Sequence, residues 1–400
     1  MPATPGEGTM SEAIPVQPAA AMAAAGSGRI VRHQPAFAGR AGEYFGIWFV
    51  NLLLGIVTLG IYSAWAKVRS ERYFYGNTTL AGSSFDYLAD PIAILKGRLI
   101  AYAVVIALLL SSKFLPILYF ALILALFALM PLIIVLGLRF RARNSAWRGL
   151  SFRFDREGGA AYGPFLGWQL LSAITGTLLY PLMKLKQHEF VAGGHRFGRK
   201  RFEFAGDASR YYPPYLVALG IGAGLMLAFG IAFSAAIFAG VHAAEGPAAQ
   251  ALGVGVVAAL VLFYAGMFAL GIFLRVRYAN LLWNNTRLGP HRFESSLRVR
   301  DMMWLYASNL VAIVCTLGLA VPWAMIRLAR YRAAHFAVLA DGGIDDFVRD
   351  QEREHAAADV RIRVRVVRDH ASHAGEHERD QRARDPADPA VARIRVVQAH

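Results

Sequence analysis

Side chains that can do chemistry in an apolar setting are few in this 400-residue chain, and most fall into two matched sets. Asn51, Thr58, Gly60, Trp65, Arg69, Arg72 and Tyr73 form the first. Asn309, Thr316, Gly318, Trp323, Arg327, Arg330 and Tyr331 form the second, at a shift of 258. The amides and hydroxyls offer hydrogen bonds without charge, which suits the lining of a pore or the binding of a polar headgroup. They also suit a plainer task. Away from water an unpaired backbone group is costly, so an Asn or Thr beside a glycine break bonds the exposed backbone or ties helices together. The plainer task is preferred. Trp65, Trp323, Tyr73 and Tyr331 have the amphipathic character of membrane-interface anchors. Arg69 with Arg72, and Arg327 with Arg330, stand at helical spacing and can grip a phospholipid phosphate between copies. Charge that merely sets topology is the simpler account.

Other chemistries find little support. The cores of the apolar runs hold no Asp, Glu, Lys, Arg or His, which argues against a carboxylate proton relay and against paired axial-ligand histidines. The single cysteine, Cys315, excludes an intramolecular disulfide. Gly220, Gly222 and Gly224 imitate a dinucleotide fingerprint, but no strand precedes them and no acidic partner follows. Their spacing predicts close helix packing through Gly220 and Gly224. His370, His373 and His377 have ligand-like spacing inside a charged tail, too weak a basis for a metal site. No nucleophile–base constellation is visible, so the expectation is no enzyme activity and no cofactor.

The elements that hold these residues must be membrane elements. Hydrophobic residues make up 56% of the chain and charged ones 17%, against roughly 25% charged in soluble domains. The net charge of +15 gathers beside apolar runs, which suits anionic lipid. No aromatic-basic module points to nucleic acid. Four runs approach or exceed the length of a crossing: Leu99–Ser111, Phe114–Leu138, Pro214–Gly240 and Ala249–Leu274. Three others (Phe45–Ala66, Gly163–Leu182 and Trp304–Ile326) are broken near the middle by Thr58-Leu-Gly60, Thr175-Gly-Thr177 and Thr316-Leu-Gly318. Seven spans would put basic segments on the outer face twice, against the positive-inside rule. If the broken runs dip in and return, every basic segment falls on one face. The expected fold is an all-α polytopic membrane protein with internal repeats, built from four crossing helices and three re-entrant runs; seven spans is the alternative.

Asn77, Asn144, Gly194 and Asn285 each precede a Phe by eight residues (Phe85, Phe152, Phe202 and Phe293). Turn formers flanked by aromatic and branched residues predict short β-hairpins on the basic face, with those four positions at the turns. Gly342, Gly343 and Phe347 repeat the theme. The chain then divides into a disordered leader (1–36), a membrane domain (37–348) and a charged disordered tail (349–400). The membrane domain holds repeat halves 44–154 and 163–294 and a partial third copy, 304–347.

The stretch from Trp48 through Thr58-Leu-Gly-Ile-Tyr62, Trp65, Lys67 and Arg69 to Tyr73 and Asn77–Gly82, continued by Pro91 and Lys96-Gly-Arg98, resembles the YjgN family of bacterial inner-membrane proteins. The resemblance covers residues 36–348. It implies a multi-pass inner-membrane protein without an assigned activity, hence no catalytic residues to carry over. It weakly suggests a membrane metallopeptidase as partner. Leu182 and Gly194 depart from the pattern at the Trp65 and Asn77 positions. The functional expectation is a membrane-organising or accessory protein that binds lipid or a partner through its basic face. A transporter or channel for a small solute is the alternative. Basic loops and both termini are expected to be cytoplasmic.

Overall fold

The computed structural model describes residues 30–242 and 247–354. Most of the leader, the loop around Glu245 and the tail histidines lie outside the described residues. Helices come in antiparallel pairs. In chain order these are α1 (Ala41–Val57) with α2 (Ser63–Gly76), α3 (Pro91–Phe114) with α4 (Pro116–Arg143), and α5 (Trp168–Ile174) with α6 (Tyr180–Gly194). Then follow α7 (Ala208–His242) with α8 (Pro247–Asn284), α9 (Val299–Cys315) with α10 (Val321–Ala334), and a final helix α11 over 344–354. Short pairs therefore alternate with long ones.

Only the long pairs are fit to cross a bilayer by length and hydropathy. The 24 residues of α3 extend about 36 Å at ~1.5 Å per residue, enough for a ~30 Å hydrocarbon core. Asp90 caps that helix by accepting the Ile92 N–H at 3.0 Å, with Pro91 at the first position. Ile100, Leu109, Ile117 and Leu124 stand more than half exposed on this pair. Such a surface fits contact with lipid. In the α7/α8 pair, a Cβ on Gly266 would meet Leu225 at 2.8 Å and one on Gly222 would meet Leu270 at 3.3 Å. Nothing lies close to Gly220 or Gly224, so the packing glycines are not those the spacing suggested.

The short pairs turn over at the Thr/Gly breaks. Thr58 Oγ1 donates to Leu54 O at 2.7 Å and accepts the Tyr62 N–H at 2.9 Å. Thr316 does the same with Ala312 O and the Ala320 N–H, and Thr175 with Leu171 O and the Leu179 N–H. Gly60, Thr177 and Gly318 N–H each close back five residues, onto Gly55, Ser172 and Ile313 carbonyls, as in a Schellman motif. The turn runs left-handed through Leu59 (φ 49°) and Gly60 (φ 90°), and through Leu317 (φ 49°) and Gly318 (φ 95°).

The strands correct the all-α expectation. The strands β1 (Val31–His33), β2 (Ala36–Phe37), β3 (Thr78–Leu80), β4 (Ser83–Tyr87), β5 (Ser145–Trp147), β6 (Leu150–Phe154), β7 (His195–Phe197), β8 (Lys200–Phe204), β9 (Thr286–Leu288), β10 (His291–Ser295) and β11 (Phe336–Ala340) join in one antiparallel sheet. Its order, β1-β11-β10-β9-β8-β7-β6-β5-β4-β3-β2, places β1 and β2 at opposite edges. They are consecutive in the chain, separated by Gln34 and Pro35, so the sheet curls until its two edges are tied together. A lone hairpin is marginally stable at best, and edge pairing between neighbours supplies the missing partners.

Inside the ring, Leu80, Trp147, Leu150, Phe197, Phe202, Leu288 and Val338 from seven strands pack into one core. Helix α11 closes the turn end. Its Ile344, Phe347, Val348 and Gln351, at helical spacing, face this core, and Gln351 Oε1 accepts the Arg199 and Lys200 N–H groups at 2.9 and 3.2 Å. Composition assigned residues 31–36 to the disordered leader and residues 349–354 to the tail. The structure folds both, because each contributes to closing the ring. The last copy also lacks a second strand: after β11 the chain enters α11 rather than a hairpin.

The predicted turn positions are corrected too. The tight turns lie at Ala81-Gly82 and Arg148-Gly149, with positive φ at both residues as in type I′ turns, and at Gly198-Arg199 and Gly289-Pro290. Asn77, Asn144 and Asn285 instead terminate helices, their amides donating to Tyr73, Phe140 and Leu281 carbonyls at 2.7–2.8 Å. Gly194 is the last residue of α6.

Candidate functional site

Asn51 and Asn309 are buried between the arms of their helical pairs. The Asn51 amide donates to Ala66 O at 3.5 Å and the Asn309 amide to Ala324 O at 3.4 Å. At the feet of the same pairs, Tyr73 Oη accepts the Arg40 N–H at 2.8 Å and lies 3.1 Å from Glu43 Oε2. Tyr331 Oη accepts the Arg298 N–H at 3.1 Å and lies 3.4 Å from Asp301. Matched residues thus make matched contacts in the α1/α2 and α9/α10 pairs. Thr58, Gly60, Thr316 and Gly318 sit at the tips, where Leu59 and Leu317 are each 95% exposed.

The two pairs differ in how they use arginine. Arg327 reaches Ser308 Oγ at 2.6 Å and Asn309 Oδ1 at 3.2 Å, with its guanidinium 5.2 Å from the centre of the Trp323 ring. Arg69 is exposed and makes no such bond, and Asn51 Oδ1 is left buried without a partner. Arg72 Nε donates to Tyr87 O at 3.4 Å, and Trp65 stacks on Tyr62. Arg330 donates to Gly39 O at 3.1 Å, and Tyr44 Oη lies 3.6 Å from Met325 Sδ. These last contacts seat the α9/α10 pair against the α1/α2 pair.

One surface collects several of the named residues. A groove of about 1690 Å³ runs between α8, α9 and α10. Phe268, Trp304 and Leu310 form apolar walls, while Arg300, Arg327, Arg330 and Tyr331 gather with Asp301 at its foot. Trp304 and Leu310 are 68% and 56% exposed, so the groove opens sideways. Of the matched sets, Arg327, Arg330 and Tyr331 line this groove, while Asn51, Thr58, Thr316 and Asn309 do not. Sequence reasoning missed Arg300. Its basic neighbours read as generic flanking charge, and only the packing of α9 on α8 turns it toward a cleft. Among the described residues no group of three or more His, Cys, Asp or Glu could hold a metal ion.

Residues 32–361 match the family described as "Bacterial protein of unknown function (DUF898)". The chain is similar to the inner membrane protein YjgN of Salmonella typhimurium, 26% identical over 352 residues, covering 77% of this chain and 89% of that protein. It is also similar to the inner membrane protein YjgN of Escherichia coli O157:H7, 33% identical over 124 residues, 31% of each chain. No solved structure matches.

Proposed function

The chain belongs to the YjgN family of bacterial inner-membrane proteins (DUF898), and from that premise we propose that it is an accessory, membrane-organising protein that holds anionic phospholipid. The observation that carries this reading is the groove between α8, α9 and α10, where greasy walls meet clustered arginines. Acyl chains suit Phe268, Trp304 and Leu310. A phosphate suits Arg300, which has no hydrogen-bond or ion-pair partner among the described residues, and the unused donors of Arg327 and Arg330, because a guanidinium forks onto two oxygens at once. Each arginine near an anionic lipid surface contributes about 1 kcal/mol. Arg300→Ala with Arg330→Ala should therefore lower the affinity for phosphatidylglycerol roughly thirtyfold while lowering that for phosphatidylcholine, whose choline offsets the phosphate charge, much less. Lipid retention by the purified protein in detergent, read by native mass spectrometry, provides the check. Equal retention of phosphatidylglycerol by a variant of unchanged melting temperature would refute the reading.

The same premise bears on how the chain meets the bilayer. Each short pair lies between hydrogen-bonded strands: α1/α2 between β2 and β3, α5/α6 between β6 and β7, α9/α10 between β10 and β11. Bonded strands share one side of a membrane, which supports a re-entrant course for all three pairs. The apolar tips at Leu59 and Leu317 support it further, since both would be stranded in water. A second reading, passage of a small solute, draws on the closed circuit made by α9/α10 against α1/α2. Burial of Asn51 and Asn309 inside their pairs favours the lipid reading, because neither amide is free to line a path.

A further inference from the structure

Between α11 and the feet of the helices, the ring encloses a cavity of about 790 Å³. Rings of Phe85, Trp147, Phe202 and Phe293 form much of its wall. They come from four different strands, and Phe202 and Phe293 stack at 5.6 Å between centroids. Among the polar side chains of that lining, His291 stands apart. It is 3% exposed, lies 4.5 Å from Phe347 edge to face, and has no hydrogen-bond partner at Nδ1 or Nε2 among the described residues. Burial holds its pKa below the usual histidine value, against the opposing pull of Asp341 and with a smaller push from His33. The imidazole is therefore neutral, with one donor and one acceptor to offer. A buried imidazole whose two nitrogens bond no other described residue has both that donor and that acceptor to offer a guest in the lumen.

We propose that the ring lumen binds an uncharged, flat aromatic molecule carrying a hydrogen-bonding oxygen, of the phenol or quinone class, with His291 as its polar anchor. The aromatic walls suit a planar ring system, offset-stacked or edge to face. The volume falls within the ~300–1,000 Å³ range of small-molecule sites. A charged ligand fits poorly. The cationic groups of the lining, Arg275 and Arg332, are exposed at the helix feet, and an ion inside the ring would lack a counter-charge. This site is separate from the lipid groove and does not depend on it.

The test uses the full chain in detergent micelles and two probes of one shape, 2-naphthol and 2-methylnaphthalene, titrated calorimetrically against a micelle blank. Wild-type protein should bind 2-naphthol about five- to tenfold more tightly, the difference expected for one neutral hydrogen bond in a dry site. His291→Phe should bind both probes equally, and His291→Gln, which restores a donor and an acceptor, should recover part of the preference. Should His291→Phe fail to fold, the comparison of wild type with His291→Gln and His291→Leu reads the same preference. Absence of saturable binding above the blank would mean that water alone satisfies the imidazole, and the proposal would fall. A naphthol preference undiminished in the variants would overturn it as well.

Discussion

His291 and the asparagines at the helix ends make opposite use of polarity. Asn77, Asn144 and Asn285 fold their amides back onto the last helical turn, while each of their carbonyls accepts from the strand that entered the same helical pair (Ala38, Leu88 and Ala205 N–H, all 2.9 Å). Gly194 and His335 provide the same carbonyl latch to Asp155 and Ser296 N–H at 2.9 Å. Their polar groups are spent on structure, whereas those of His291 are left over. Protonation of His291 is disfavoured in the folded ring and free in the unfolded chain, whose ordinary value is 6.5. Below that pH the unfolded state binds the extra proton, so stability is full above about pH 6.5 and falls as the solution is acidified. His195, half-buried in β7 and also lowered by desolvation, adds to the same slope. The melting temperature of His291→Gln should therefore depend less steeply on pH between about 6.5 and 5 than that of the wild type. Parallel curves for the two proteins would show that His291 is not held neutral.

Among the elements, the helical pairs were legible from sequence and the ring was not. Thr58-Leu-Gly60 and its counterparts announce a helix end because Thr bonds the preceding turn and Gly tolerates positive φ; both are local effects. The eight-residue step from Asn to Phe was equally local. It marks the distance from a helix cap to the inward-facing Phe of the second strand, not the distance from a turn. What no window of sequence carries is the pairing of Val31–His33 with Val338–Ala340, some three hundred residues away. The lumen and its histidine are products of that closure, as is the docking of α11. Gln351 supplies the acceptor for two backbone N–H groups of the Gly198-Arg199 turn and its following strand, and Arg148 pairs with Asp345 on the outer side. Gln351→Leu takes the acceptor from both part-buried donors, at up to about 1 kcal/mol apiece. Limited trypsin digestion should then cut at Arg349 and Arg353 faster than in the wild type, while the ring itself resists. Equal cleavage rates would mean that the apolar face of α11 holds it without the glutamine.

Seen whole, the molecule is a ring from which five helical excursions leave and to which each returns, short pairs alternating with long ones. The geometry of the ring constrains topology more tightly than charge does. In a seven-span chain, β4 and β8 would lie on opposite sides of the bilayer, because the number of crossings between them would be odd. The sheet speaks against this arrangement, since unbroken hydrogen bonding runs from β4 through β5, β6 and β7 to β8. With re-entrant short pairs, only α3/α4 crosses between those strands, out and back, and both strands stay together. Asp86 in β4 and Glu203 in β8 are exposed, which makes them suitable reporters. In a Cys315→Ser background, Asp86→Cys and Glu203→Cys should both react with a membrane-impermeant maleimide from one side only, and from the same side. Ala243→Cys, in the segment joining α7 to α8, should react from the other side. The excess of Lys and Arg around the ring predicts that the shared side is the cytoplasmic one, so labelling at Asp86→Cys and Glu203→Cys should require permeabilised cells. Labelling of Asp86→Cys and Glu203→Cys from opposite sides would separate strands that the sheet bonds together, and the re-entrant course would be lost with it.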